Sequence, residues 1–160
     1  MLERGVQTKN VVYEDNLDKG YEMLRKAGFT CADFSLNSYL INKDIYKQEI
    51  NTFFDKSTGE LIEFASRHRE ASRNAGIRIN QMHMPYPIYV PNAKKEVNDY
   101  LWQEVAPKSM EICKALGCKN IVIHGFKLAR ILGTEELEWE KTAEFIDFIA
   151  PFAAENGITI

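Results

Sequence analysis

Lys114-Ala115-Leu116-Gly117-Cys118-Lys119-Asn120-Ile121-Val122-Ile123-His124-Gly125 holds the end of a helix, a glycine, a short apolar run and a histidine in twelve residues. The residue just past a helix often takes the left-handed conformation, which glycine adopts without a Cβ penalty. Ile121-Val122-Ile123 is the continuous apolar run of a parallel strand buried on both faces. The same phrase, helix end then glycine then β-rich run, recurs as Arg25-Lys26-Ala27-Gly28-Phe29, Arg73-Asn74-Ala75-Gly76-Ile77 and Ala154-Glu155-Asn156-Gly157-Ile158. Successive glycines are 48, 41 and 40 residues apart, the size of one strand-plus-helix unit with its loops.

Between these marks the helices are legible. Ser57-Thr58-Gly59-Glu60 has capping-box spacing, and Leu61, Phe64, Ala65, His68, Ala71 and Ala75 follow at intervals of three and four. Thr134 before Glu135 and Glu136 predicts another helix start, its hydroxyl and the two carboxylates suiting the unpaired amides there. Pro107 and Pro151 predict kinks, or for the former a helix that begins near it. Strands are expected near 4 to 8, 29 to 35, 77 to 83, 118 to 124 and 157 to 160. Strict alternation of strand and helix implies an α/β fold with a parallel sheet and right-handed crossovers, either an open doubly wound sheet or a closed barrel.

The connections are unequal. Helices reach the next strand through little more than a glycine, whereas the strand-to-helix segments at about 36 to 56, 84 to 98 and 125 to 134 are long. In parallel α/β folds all such loops emerge beyond the carboxyl ends of the strands, where ligands bind. Two histidines close candidate strands on that face, His83 in Gln81-Met82-His83-Met84-Pro85-Tyr86 and His124 in Ile123-His124-Gly125. Neutral imidazole ligates divalent metals, hydrogen-bonds sugar hydroxyls and shuttles protons near working pH. Tyr86, Tyr89 and Tyr100 with Pro85, Pro87 and Pro91 give the third loop a stiff aromatic character suited to stacking on a sugar ring or to anchoring the loop. Asp33, set between Ala32 and Phe34, is costly to bury unless it faces the site or a partner. Gln7, Lys9 and Asn10 are within reach of the pocket mouth, while His68, among Arg67, Arg69 and Arg73, reads as a surface or helix-packing residue on a solvated charged face.

Composition narrows the class. The 160 residues carry 20 basic and 23 acidic side chains, a net charge of −3, which argues against a dedicated nucleic-acid binder. Cys31, Cys113 and Cys118 form no Cys-x-x-Cys pair, so reduced thiols in the cytoplasm are expected. Met1-Leu2-Glu3-Arg4-Gly5-Val6 is no signal-peptide core, and no apolar stretch approaches the roughly 18 to 20 residues of a membrane span. One domain over 1 to 160 is expected, with no linker or shift of composition. There is no Gly-x-Gly-x-x-Gly, Walker loop, Gly-x-Ser-x-Gly or His-Glu-x-x-His, so dinucleotide binding, P-loop hydrolysis, serine hydrolysis and zincin chemistry lack support.

The order and spacing of these phrases resemble the xylose isomerase-like TIM barrels, which include sugar phosphate isomerases and epimerases and the endonuclease IV repair enzymes. His83-Met84-Pro85-Tyr86 resembles the family's His-x-Pro-aromatic turn after strand three, and Leu116-Gly117-Cys118 leading to Val122-Ile123-His124-Gly125 resembles its strand-four segment. The resemblance covers the whole chain and implies about half of a barrel, β1 to β5 with four helices, truncated inside the fifth strand. It implies a parent reaction of metal-assisted aldose–ketose isomerisation or ketose epimerisation on a small sugar or polyol, with Mn, Mg, Co or Zn as the divalent ion. His83, His124, Tyr86 and Asp33 are then expected at the substrate, and His83 and His124 at an auxiliary metal.

The principal carboxylate ligands belong to later strands in that family. The isolated chain is therefore expected to be inactive and without the family's principal metal, with no catalytic residue of its own. Its open sheet edges imply a homodimer, a marginal monomer or a gene fragment. An endonuclease IV-like DNA enzyme, a flavodoxin-like domain without its phosphate loop and a non-catalytic binding or scaffold protein are the alternatives.

Overall fold

The computed structural model describes residues 3 to 128 and 132 to 160. Residues 129 to 131 of the expected 125 to 134 connection, and Met1-Leu2 of the leader reading, lie outside the described residues. The elements run β1 (Gly5–Gln7), α1 (Leu17–Lys26), β2 (Cys31–Ser35), α2 (Asn42–Tyr46), α3 (Thr58–Asn74), β3 (Arg78–His83), α4 (Lys95–Tyr100), a π-helical turn (Leu101–Val105), α5 (Ala106–Leu116), β4 (Ile121–Val122) and α6 (Glu135–Asn156).

The four strands lie in chain order, all parallel. A parallel bridge from Asn120 to Thr159 extends the sheet where a fifth strand was expected. That expected strand amounts to one bridge, and the fourth shrinks to two residues, leaving Ile123 and His124 just beyond its end. Helix α1 packs on α3, α3 on α5 and α5 on α6. Phe34, Met82 and Ile121 share the helix-covered face, all nearly inaccessible.

Local signals explain the helix ends. Ser57 and Glu60 form the complete capping box at α3. The four repeat glycines all have positive φ, between 65° and 88°. At Gly117 a Cβ would also stand 3.0 Å from the Arg69 guanidinium. Thr134 does precede α6, but its hydroxyl bonds the Glu138 carboxylate at 3.1 Å instead of capping a backbone amide. Pro107 stands in the first turn of α5, directly after the π turn. Proline has no N–H and its ring crowds the carbonyl four residues back, and the wider register relieves that crowding. The helix α6 continues through Pro151 without interruption.

His68 is not a surface residue. It is 1% exposed, with Nδ1 3.2 Å from the Tyr21 hydroxyl and Nε2 3.0 Å from that of Tyr39, inside a cluster of Phe34 and Phe64 rings. Among the described residues no helix is long and apolar enough to cross a membrane.

Candidate functional site

Strand register brings the polar residues to one face. Gln7 stands beside Asp33, Asp33 beside Gln81, and Ser35 beside His83, which neighbours Val122. These side chains project opposite to Phe34 and Met82. An irregularity between Ala32 and Asp33 shifts the β2–β3 register, a device that re-aims side chains near sites. It puts Asp33 within reach of the last residue of β3.

His83 Nδ1 lies 2.7 Å and 2.8 Å from the two Asp33 carboxylate oxygens, and both side chains are 16% exposed. An ionised carboxylate only accepts, so in this contact the Nδ1–H donates to Asp33. His124, two residues past β4, brings its ring to 5.4 Å from that of His83, tilted by 36°. Incomplete hydration at the rim holds the His124 imidazole below its ordinary pKa; the neighbouring His83 acts in the same direction and Asp33 opposes it. Tyr86 approaches His124 edge-on, with centroids 5.3 Å apart.

The loop carrying Tyr86 is tied to the second strand-to-helix connection. Asn37 accepts from the Tyr86 amide at 3.1 Å and donates to the Met84 carbonyl at 3.4 Å, spanning the turn before the cis Tyr86–Pro87 peptide. The Tyr46 hydroxyl donates to that of Tyr86 at 3.1 Å; burial and this bond push the Tyr46 phenol above its ordinary range. A cleft of about 450 Å³ opens here, lined by His83, Tyr86 and His124 with Gln7, Lys9, Asn37 and Asn42.

His83, His124 and Tyr86 therefore meet at one rim, and Asp33 stands behind His83 holding its ring. Gln7 and Lys9 line the cleft, whereas Asn10 lies in the neighbouring one and Tyr89 packs against Phe126. Tyr100 bonds Asp55 at 2.7 Å, away from the rim. Sequence reasoning missed Asn37, Asn42 and Tyr46. All three follow β2 in a connection already assigned to the ligand-binding face, but asparagine in a loop is read first as a turn former.

The donor set does not suit a catalytic magnesium or manganese ion. Those ions favour oxygen ligands, and the one carboxylate here is engaged with His83. Among the described residues no group of three or more His, Cys, Asp or Glu is placed to hold a metal.

No protein-family model matches the sequence, and no curated protein matches it. Solved structures do. A sugar phosphate isomerase/epimerase from Parabacteroides distasonis is 19% identical, with a TM-score of 0.56 over 98% of this chain and 49% of its own. The 3-keto-D-glucoside 4-epimerase from E. coli is 12% identical, with a TM-score of 0.64 over 99% and 54%. A D-psicose 3-epimerase from Clostridium cellulolyticum H10, solved with D-tagatose, is 11% identical, with a TM-score of 0.59 over 98% and 50%. The chain spans about half the length of each. With parallel strands in chain order, helices on one face and polar side chains on the other, it has the α/β fold of about half a TIM barrel, which it shares with these sugar isomerases and epimerases.

Proposed function

We propose that the chain forms the substrate-orienting side of a site that isomerises or epimerises a small sugar or related polyol. The observation that carries this is His83, its Nδ1 held by Asp33, lining a polar cleft that His124 and Tyr86 share. With Nδ1 donating to Asp33, a neutral His83 has Nε2 left to accept a hydrogen bond from a sugar hydroxyl. Asn37, Asn42 and Lys9 supply donors for further hydroxyls, and the Tyr86 ring offers a face or edge to C–H groups. Removing a carbon-bound proton calls for a carboxylate base and for carboxylate metal ligands, which the described residues do not bring to this rim. The reading thus gives these 160 residues binding and orientation without turnover.

Lys9 is the one lysine or arginine among the described residues lining the cleft, so a nucleic-acid backbone is the poorer fit. The three cysteines are free and buried, in keeping with a cytoplasmic, reducing setting. The outer edge of β1 pairs with no other strand among the described residues, and self-association through sheet edges accompanies this reading.

The test is to titrate the chain with D-fructose and D-tagatose while following the imidazole resonances of His83 and His124, with the sugar assayed for conversion. Saturable shifts of both rings without conversion are expected. Unmoved resonances at saturating sugar would overturn the proposal.

A further inference from the structure

The histidine cleft does not end at Lys9 and Asn37. Both residues also line a second cleft of about 320 Å³, formed between the β1–α1 and β2–α2 connections. Its other walls are largely apolar: Val12 and Tyr39, which are buried or half-buried, and Tyr13 and Ile41, which are 55% and 46% exposed. Large apolar side chains left open beside a polar cleft point to something that covers them.

We propose that this cleft is a second subsite, seating the second ring of a glycoside or disaccharide whose reacting sugar lies against His83 and His124. The inference rests on the sugar reading above. Volume suits it, because each cleft falls at the lower end of the roughly 300 to 1,000 Å³ of small-molecule sites. So does rigidity. The Thr8 carbonyl accepts from the Val11 and Val12 amides at 3.1 and 3.0 Å. Val12 is seated against Gly20, where a Cβ would come within 2.9 Å of its Cα. Asn37 is held at both ends of its amide, and the Tyr39 hydroxyl is fixed on His68.

The chemistry favours a neutral polyhydroxylated ring. A sugar ring lays a C–H face on tyrosine and an aliphatic side chain while its rim hydroxyls stay polar. Lys9 and Asn37, shared by both clefts, stand where the hydroxyls flanking a glycosidic link would lie. The one other charged group lining the second cleft, Glu14, is paired with Arg67 at 2.7 Å. A phosphate at this end would therefore meet the Glu14 carboxylate, with Lys9 the one cation among the described residues lining the cleft and Arg67 already paired with Glu14.

The experiment compares D-fructose with maltulose, a glucosyl-fructose, by calorimetric titration of the chain and of its Tyr13→Ala and Ile41→Ser variants. Maltulose is expected to bind about tenfold tighter than D-fructose, and each variant is expected to bring that ratio close to one. If D-fructose binds and maltulose binds no better, the second subsite is refuted while the sugar reading stands. A preference that survives in both variants places the second ring elsewhere and likewise refutes it. If neither sugar binds, both proposals fall.

Discussion

Acidification should weaken the fold through one residue, His68. Its ring is enclosed by Tyr21, Tyr39, Phe34 and Phe64, and burial, with Arg67 nearby, pulls its pKa down to about 3. In the unfolded chain the imidazole titrates near its ordinary value of about 6.5. Above that pH neither state is protonated and His68 contributes no pH dependence. Below it the unfolded state takes up a proton that the native state refuses, so stability falls as pH falls, by about 1.4 kcal/mol per unit, down to the native pKa. Between pH 6.5 and 5 the loss is about 2 kcal/mol, a large share of the 5 to 15 kcal/mol that about sets domain stability.

His68→Gln isolates the effect, because an amide also offers a donor and an acceptor to two tyrosine hydroxyls but does not titrate. Urea unfolding at pH 7 and pH 5 would be measured for both proteins. The variant is expected to be less stable at pH 7 by about 1 to 2 kcal/mol, for lost packing and imperfect hydrogen bonds, yet to lose about 2 kcal/mol less than the parent on going to pH 5. Carboxylates titrating in the same range contribute equally to both and cancel in the difference. Equal losses in the two proteins would show that His68 is not held neutral by its surroundings.

Three further outcomes are expected. Nitrogen NMR of His83 should show the Nδ1–H tautomer, and Asp33→Asn, whose amide can also donate, should shift the proton towards Nε2 and weaken D-fructose binding by about tenfold; an unchanged tautomer would mean that Asp33 does not orient the ring. Gly117→Ala should cost about 1 to 2 kcal/mol, since alanine at φ 77° is strained and its Cβ must displace the Arg69 guanidinium, and thermal or urea unfolding should rank it at or above Gly157→Ala, which has the same strain but open space. Adding manganese or magnesium at millimolar concentration should leave the melting temperature within about 1 °C, because a site that binds only the native state would raise it and no such donor group is in place among the described residues; a clear rise would refute the reading of the donor set.

The repeat was legible because it rests on local physics. A glycine past a helix and an apolar run after it need no knowledge of partners, and all four glycines adopt positive φ. Strand lengths were less legible: Ile158 and Thr159 have the composition of a strand, yet among the described residues they form the single bridge from Thr159 to Asn120. For His68 the helix-packing alternative holds and the surface one fails, because its sequence neighbours Arg67 and Arg69 are exposed while its own helical face meets two tyrosines distant in the chain. At the site, His83 and His124 were visible from their positions at strand ends. The roles of Asn37 and Asp33 depend on contacts across 47 to 50 residues of chain, which no local pattern encodes.

The polarity of the strand face away from the helices links fold to site. Closed eight-stranded barrels fill their interior with layers of branched apolar side chains, and such a face would be costly to leave in water. Here the register places Gln7, Asp33, Gln81 and His83 on that face, each only partly buried. Asp33 and His83 pair with each other, and a face of this polarity is not an apolar core. The apolar load instead sits on the other face, in Phe34, Met82 and Ile121 beneath the helices. On the sugar reading proposed above, the same polar side chains exchange water for the hydroxyls of a sugar, and Asp33 holds His83 in either state.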